Sequence, residues 1–502
     1  MSVLGVDIGT SRCKAAAFNL DGKMLAMYSR EYQRLMPLPG RYEILPSQLI
    51  SALESIIADV AAQVKRDPIE AISFSVFGGS FVPLDSDFNP LGNLISTADN
   101  RGLPDMESWL ESFTAERTYQ ITGIIPHTSE FLIKAIACSR TSPDIYERTA
   151  MLASAEEFVY AHLGIVPVVD RSTASTYMAY DIKSGDWSAE ILDAAGICRS
   201  LLAPIVECGS VIGRLSRAVS QRLGLSGDVV VVAGGHDQQV AALGAGQVRP
   251  GIVTDSLGTV EAMSAALESP ELGRAFMQNN LPNWCHVYNG LFCTAAYNYS
   301  CADLLNWAAR VFYGAQAGDE LELLKRGLAE MPDAPSSVLV QPHFCGSGTP
   351  YMDAVSRGAI VGLDLSVTRE QLMRAIIDCQ NYEMRLNMDI WRKLGISADS
   401  IRVFGGLAQN DRILQIKADI LDAIVTKVGC SESGCLGAAA LAASGAGLVE
   451  SPVEFLNACK HEERVFTPRK EFCSVHQDMY GMYRRLYGSL KSLTTNDGET
   501  AA

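Results

Sequence analysis

The sequence predicts an α/β protein built from two similar halves, each a mixed sheet flanked by helices, and three observations carry that expectation. Val229 to Val232 are four consecutive valines, as in a strand covered on both faces, and Gly234-Gly235 turn it into the small apolar stretch Val240 to Gly246. Leu4 to Asp7 runs into Gly9-Thr10-Ser11 and returns through Cys13 to Asn19. After Gly246 the pattern starts again, with a strand from Gly251 ending in the turn Gly258-Thr259. The restart divides the chain into residues 1–246 and 247–502, with phosphates clamped between the two turns.

Composition bounds the function. The chain has 502 residues, enough for two or three domains, and 48% of them are hydrophobic, ample for sizeable cores. Its net charge of −16 argues against nucleic-acid or anionic-membrane partners, which demand basic patches. The start, MSVLGVDIGT, lacks the features of a signal peptide, and no apolar run reaches membrane-spanning length. Cys435 to Leu448 comes closest but is short. The 13 cysteines are scattered and form no CxxC pair, which points to reduced thiols in a cytoplasmic protein.

In chain order, Asp21-Gly22 is a tight turn into a third strand, Lys23 to Tyr32. The glycine-hydroxyl turn Gly9-Thr10-Ser11 exposes N–H and O–H groups suited to a phosphate, Lys14 adds positive charge, and Asp7 stands where a Mg²⁺-bound water could be held. A strand follows rather than a helix, so this is no Walker loop. Read blandly, it is a plain hairpin turn. Pro46 to Lys65 is helical with Ser47 as its N-cap, and Ala71 to Phe77 is a strand running into Gly78-Gly79-Ser80. Ser96 to Arg101, with Asp99 and Arg101, is either a solvated loop or a substrate-facing one. Met106 to Ser139 and Ser154 to Leu163 are mostly helical, broken at Pro126 and Pro143, and Asp170 to Thr176 is a turn or a sugar-facing loop.

His236-Asp237-Gln238-Gln239 then crowns the valine strand, setting a carboxylate and two amides where open α/β sheets bind ligands. Its bland alternative is an aspartate that caps the following helix. In the second half, Ser300 to Val311, Asp319 to Met331 and Thr368 to Leu394 are helical, and Gln341 to Pro350 is a loop. Ile401 to Phe404 is a strand ending in Gly405-Gly406, where a flat ligand can approach the backbone, and Asn410 caps the next helix or bonds that ligand. The tail after Leu493 is polar and expected to fray.

The order of these pieces, from about Leu4 to about Gly447, resembles the FGGY carbohydrate kinases of the actin-like ATPase superfamily, with glycerol kinase and xylulose kinase among its members. Gly358-Ala-Ile-Val-Gly-Leu363, then Gln371-Leu372 and Ala375-Ile-Ile-Asp378, fit the family's second signature at every position. The resemblance implies two actin-like (ribonuclease H-like) domains and an ATP-dependent kinase acting on a hydroxyl of a small sugar, ketose or polyol. It makes Asp237 the catalytic base, Gln238 a substrate contact and Asp7 the Mg²⁺-side carboxylate. Thr10, Ser11, Lys14, Gly258 and Thr259 then face the ATP phosphates, Gly405, Gly406 and Asn410 lie at the adenosine, and Asn306 sits under the adenine. The assembly expected is a homodimer.

The chain also departs from the family. Around Ser129 to Ala137 it keeps Lys134, but Phe131, Ala135 and Ala137 replace the usual residues. Gly78-Gly79 stand where glycerol kinase has an Arg-Glu pair and xylulose kinase a Met-His pair on substrate. The glycines are therefore expected to open the sugar pocket. The loop from Cys345 lacks the charges many relatives carry, and His236 reads as structural rather than as a second base. Two rival functions share the phosphate turns: an actin- or chaperone-like nucleotide switch, and a catalytically weak sugar-binding regulator.

Overall fold

In a computed structural model, the described residues (1–314, 316, 319–459 and 462–494) form two lobes, each around one large mixed sheet. The predicted polar tail lies outside them beyond residue 494. The first sheet contains β1 (Ser2–Ile8), β2 (Arg12–Asn19), β3 (Met24–Glu31), β4 (Ile69–Val76), β5 (Val211–Arg214) and β6 (Val230–His236), in the order β5-β6-β4-β1-β2-β3. The second contains β7 (Gly251–Leu257), β8 (Glu261–Leu267), β9 (Trp284–Cys285), β10 (Phe292–Asn298), β11 (Ala398–Phe404), β12 (Val425–Lys427) and β13 (Arg464–Phe466), in the order β9-β10-β8-β7-β11-β12-β13.

Setting β9 aside, the two orders correspond strand for strand. In each sheet the opening hairpin is antiparallel, its first strand pairs parallel with a distant strand, and that strand pairs parallel with another. An antiparallel edge strand completes each sheet. The repeated pattern of the sequence is therefore a repeated topology. One connection differs, because the edge strand β5 precedes β6 in the chain whereas β13 follows β12.

Alternation along the strands explains how the first sheet is covered. Leu4, Val6, Ile8 and Val231 point to a core with Leu53, Ile57 and Val60 of helix α1 (Pro46–Gln63). Val3, Phe18, Val230 and Val232 point the other way, so the valine run serves both faces. Ser47 does not cap α1: the helix starts at Pro46, Leu45 takes the cap position, and no side chain caps it. The proline already fixes the first helical φ, and the N–H it lacks is one that has no partner inside the helix anyway. The predicted helical region before β5 and β6 includes α2 (Phe131–Thr141) and α3 (Ala155–His162), the latter with a complete capping box from Ser154 and Glu157.

After β6 comes α4 (Asp237–Gly244), and in the second lobe α5 (Ala302–Tyr313), α6 (Arg369–Lys393) and α7 (Asp411–Leu421). The chain then returns to the first sheet. Helix α8 (Ser433–Gly445) lies on the face made by Val3, Phe18, Val230 and Val232, with Leu436, Ala439 and Ala443 against it. It also touches α4 backbone to backbone: a Cβ on Gly437 would fall 2.0 Å from the Val240 oxygen, and one on Gly244 would fall 2.0 Å from the Ser433 oxygen. Among the described residues no helix is long and apolar enough to cross a membrane.

Candidate active site

Strand register brings the first-lobe residues together. Asp7 pairs with Ser75 across β1 and β4, and Ser75 pairs with Gly235 across β4 and β6, so three parallel carboxyl ends finish side by side. The Ser75 hydroxyl donates to Asp7 Oδ1 at 2.6 Å. Burial pushes the Asp7 carboxyl up to about 6, the charge of Asp237 pushes the same way, and the Ser75 bond opposes both. Asp237 is the first residue of α4, and its carboxyl is also raised by burial, against the pull of His236. The residue at the cap position is His236, and no side chain caps α4. The bland alternative for Asp237 is thus not realised. Gln238, beside it, is exposed.

The turn after β1 is a tight one, with Gly9 N–H donating to the Arg12 oxygen at 2.9 Å and the Tyr32 hydroxyl donating to the Gly9 carbonyl. Thr10 is partly exposed and Ser11 exposed on it. Lys14 Nζ donates to Glu432 Oε2 at 2.7 Å, immediately before α8, which holds the lysine charged despite partial burial. Glu432 went unnoticed in the sequence because it lies 418 residues away.

Gly78 and Gly79 are both buried beyond β4. Gly79 has φ of +64°, and a Cβ there would come to 2.7 Å of the Ser129 oxygen. Lys134 Nζ donates to the Gly79 carbonyl at 2.5 Å and to the Ser129 carbonyl, so this lysine clamps the turn. Burial lowers the pKa of the Lys134 ammonium and raises that of the nearby Glu130 carboxyl. Asp99 and Arg101 are engaged with each other: Asp99 accepts Arg101 Nε at 2.8 Å and Tyr42 N–H at 2.7 Å, while Arg101 also reaches Glu43 at 2.6 Å. The region Asp170 to Thr176 resolves into a short helix, Arg171–Ala174, whose N-cap Asp170 accepts from Ser172 and Thr173 N–H. Ser172 Oγ in turn accepts from His236 N–H at 3.0 Å and holds the end of β6.

In the second lobe the Gly258-Thr259 turn joins β7 to β8, and its two carbonyls accept Cys301 and Ala302 N–H at 3.2 Å each, fixing the start of α5. Gly405 has φ of +100°, and a Cβ on it would strike the Leu257 oxygen at 2.7 Å. The double-glycine turn therefore lies directly against the Gly258 turn. A Cβ on Gly406 would meet nothing within 4 Å, so space is open beside it. Asn410 does cap α7, accepting Arg412 N–H at 3.0 Å and Ile413 N–H at 3.3 Å. Asn306 is half-buried on α5.

Below the Gly258-Thr259 turn lies a group that sequence inspection missed. Lys417 of α7 reaches Asp255 Oδ2 at 2.7 Å and Glu261 Oε1 at 2.6 Å, all three buried. Against the cost of burial, the two carboxylates keep the lysine charged and raise it. Asp255 was visible as an acid on a repeat strand, but a lysine inside an otherwise apolar helix face was the signal to follow.

The chain thus combines a duplicated sheet, a glycine turn on each opening hairpin and an acid just past the end of β6. The family models "FGGY family of carbohydrate kinases" match as N-terminal domain over residues 2–244 and as C-terminal domain over residues 256–446. The chain belongs to the FGGY family of carbohydrate kinases. It is 28% identical over 497 residues to a xylulose kinase of Bacillus subtilis, covering 98% of each chain. It is 27% identical to a glycerol kinase of Enterococcus faecalis, covering 93% of each. A crystal structure of a xylulose kinase from Brucella ovis superposes with a TM-score of 0.89 at 25% identity, covering 98% of this chain and all of that one.

Proposed function

We propose that the chain transfers the γ-phosphate of ATP to a hydroxyl of a small sugar, ketose or polyol, with Asp237 as general base. The supporting observation is the carboxylate of Asp237 itself: it opens a helix it does not cap, at the end of β6, with burial raising its basicity. The acceptor oxygen attacks the γ-phosphorus, its proton passes to Asp237, and the bond to the β-phosphate breaks to release ADP. Gly258, Thr259, Thr10, Ser11 and Lys14 bind the phosphates, and Gly405, Gly406, Asn410 and Asn306 receive the nucleoside. Gln238 contacts the acceptor beside Gly78 and Gly79, and the Asp99–Arg101 pair buttresses that side.

Among the described residues no three His, Cys, Asp or Glu side chains gather into a metal cage. A lone carboxylate suits Mg²⁺, which keeps several waters and binds through one or two carboxylates plus substrate phosphates. Asp7 fits that pattern, since Ser75 bonds only its Oδ1. When bound, Mg²⁺ supplies charge neutralisation at the phosphates. On this reading the chain divides at residue 246 apart from the returning α8, the enzyme is a cytoplasmic homodimer, and the net charge of −16 argues against nucleic-acid partners.

The test is ADP release by the purified protein with ATP, Mg²⁺ and a panel of pentuloses, hexuloses, polyols and aldonates. At least one acceptor should raise the rate well above background hydrolysis. Absence of any acceptor-dependent release overturns the reading.

A further inference from the structure

His236 is held by three contacts that no part of the proposed reaction requires. Its ring lies on Gly78: a Cβ there would fall 2.3 Å from His236 Cδ2 and 2.4 Å from Nε2. Any larger residue at 78 would evict the ring, so the buried glycine is what admits it. From the other lobe, Trp284 stacks on the imidazole with centroids 6.3 Å apart and planes 29° apart. From its own helix, Gln239 Oε1 meets Nδ1.

That last contact decides which nitrogen is free. Gln239 Nε2 donates to Cys293 Sγ at 3.4 Å, which turns the amide oxygen toward the imidazole. In the neutral ring Nδ1 is then the protonated nitrogen, and Nε2 keeps its lone pair. Nε2 faces Asp237 Oδ1 across 3.6 Å, too far for a hydrogen bond between them. The His236 side chain is 11% exposed and that of Asp237 28%, so neither is sealed from solvent. Two acceptors stand side by side with no donor between them.

We propose that His236 is a specificity-determining residue that accepts a hydrogen bond from the hydroxyl next to the one phosphorylated, so that the acceptor must carry a vicinal diol. The two oxygens of a gauche vicinal diol lie about a hydrogen-bond length apart, and each has one proton to donate. One hydroxyl donates to Asp237 Oδ1 and reacts, while its neighbour donates to His236 Nε2 and is held. An acceptor without the neighbouring hydroxyl leaves Nε2 unpaired in a closed site, the kind of mismatch that sites discriminate against strongly. The ring needs no side chain at residue 78 to do this; it takes that space. The inference rests on Asp237 receiving the proton of the reacting hydroxyl.

The experiment compares matched acceptors that differ only in the neighbouring hydroxyl: glycerol against propane-1,3-diol, and D-xylulose against 4-deoxy-D-xylulose. Calorimetric affinity for each is measured alongside kcat/KM, so that the result stands even without turnover. The wild type should prefer the diol of at least one pair by about tenfold or more. His236→Phe keeps a flat ring over Gly78 and under Trp284 but has no nitrogen, and should collapse the preference to near unity while binding the deoxy compound as before. His236→Gln, which can place an amide oxygen near the Nε2 position, should restore part of it. Unchanged preference in His236→Phe, or no preference in the wild type for either pair, overturns the proposal. If the Phe variant fails to fold, full preference in His236→Ala does the same. Failure of the kinase reading is seen separately, as absent ADP release.

Discussion

Ser75 Oγ donates to Asp7 Oδ1 across 2.6 Å, and that one bond joins the ends of two parallel strands at the floor of the cleft. It does not offset the cost of enclosing the carboxylate, which stays raised from 3.8 to about 6. Between these two values the folded state holds a proton that the unfolded chain has released. Stability therefore falls as pH rises from about 4 to about 6 and levels off above. Asp7→Asn removes that slope. Without ligands, its melting temperature at about pH 7.5 should exceed that of the wild type, and the gain should vanish near pH 4. Melting curves across that range check both points, and a parallel pH dependence in the variant would place the titration elsewhere. Catalysis should run the other way, with kcat/KM of the wild type falling below about pH 6 as Asp7 protonates.

Asp237→Asn keeps the size of the side chain and removes its ability to take a proton. General-base catalysis is typically worth about 10²- to 10⁴-fold, so kcat should fall by that order. Since α4 has no side-chain cap to lose, melting temperature and nucleotide affinity should barely move. Near-normal turnover in a folded variant would take Asp237 out of the mechanism.

The buried Lys417 should be the most sensitive position in the second lobe. Lys417→Met leaves Asp255 and Glu261 enclosed without a counter-charge, at a cost of about 3–5 kcal/mol. Both carboxyls are already raised by burial, so in the variant they should protonate and the loss should shrink at acidic pH. Urea unfolding at neutral and acidic pH measures both. A midpoint within error of the wild type at neutral pH would mean that the cluster relaxes or fills with water.

Gly78 and His236 should be coupled. Gly78→Ala alone drives a methyl into the imidazole and should lower both the melting temperature and kcat/KM. In a His236→Ala background the same substitution meets little, because the next atom, Thr176 Oγ1, is 3.5 Å away. The double-mutant cycle should give a coupling of about 1 kcal/mol or more. Additive effects would separate the two residues.

Gly79 behaves differently from the expectation that glycine merely opens the pocket. Its φ of +64° and the Ser129 oxygen 2.7 Å from a Cβ make any side chain there strained. Gly79→His should therefore lose stability as well as acceptor affinity, and a substitution that raised KM at unchanged melting temperature would contradict this packing.

The strands, the two hairpin turns and the acid after the valine run were legible because each is written in contiguous residues. Alternation, glycine position and turn chemistry act over a few residues, and β1, β2, β6, β7 and β11 appear where those signals stand. The family's second signature was just as plain, and its Asp378 on α6 has a structural part: it bonds Arg374 at 2.7 Å and accepts the Ser336 N–H, while Arg374 holds the Asp333 carbonyl. In the sequence Asn410 reads as a helix cap or a ligand contact, and its Oδ1 does cap α7.

By itself, then, the sequence determined the duplicated sheet, the class of enzyme and the residue at the end of β6. Tertiary structure alone decided what surrounds them. Lys14 meets Glu432 across 418 residues, Lys417 meets Glu261 across 156, and α8 returns from the second half to cover the first sheet. Whether Gly78 is empty space or the seat of an imidazole depends on how β4 and β6 register side by side. Local rules govern backbone conformation over a few residues, whereas partners this far apart are chosen by which sheet face each helix must bury.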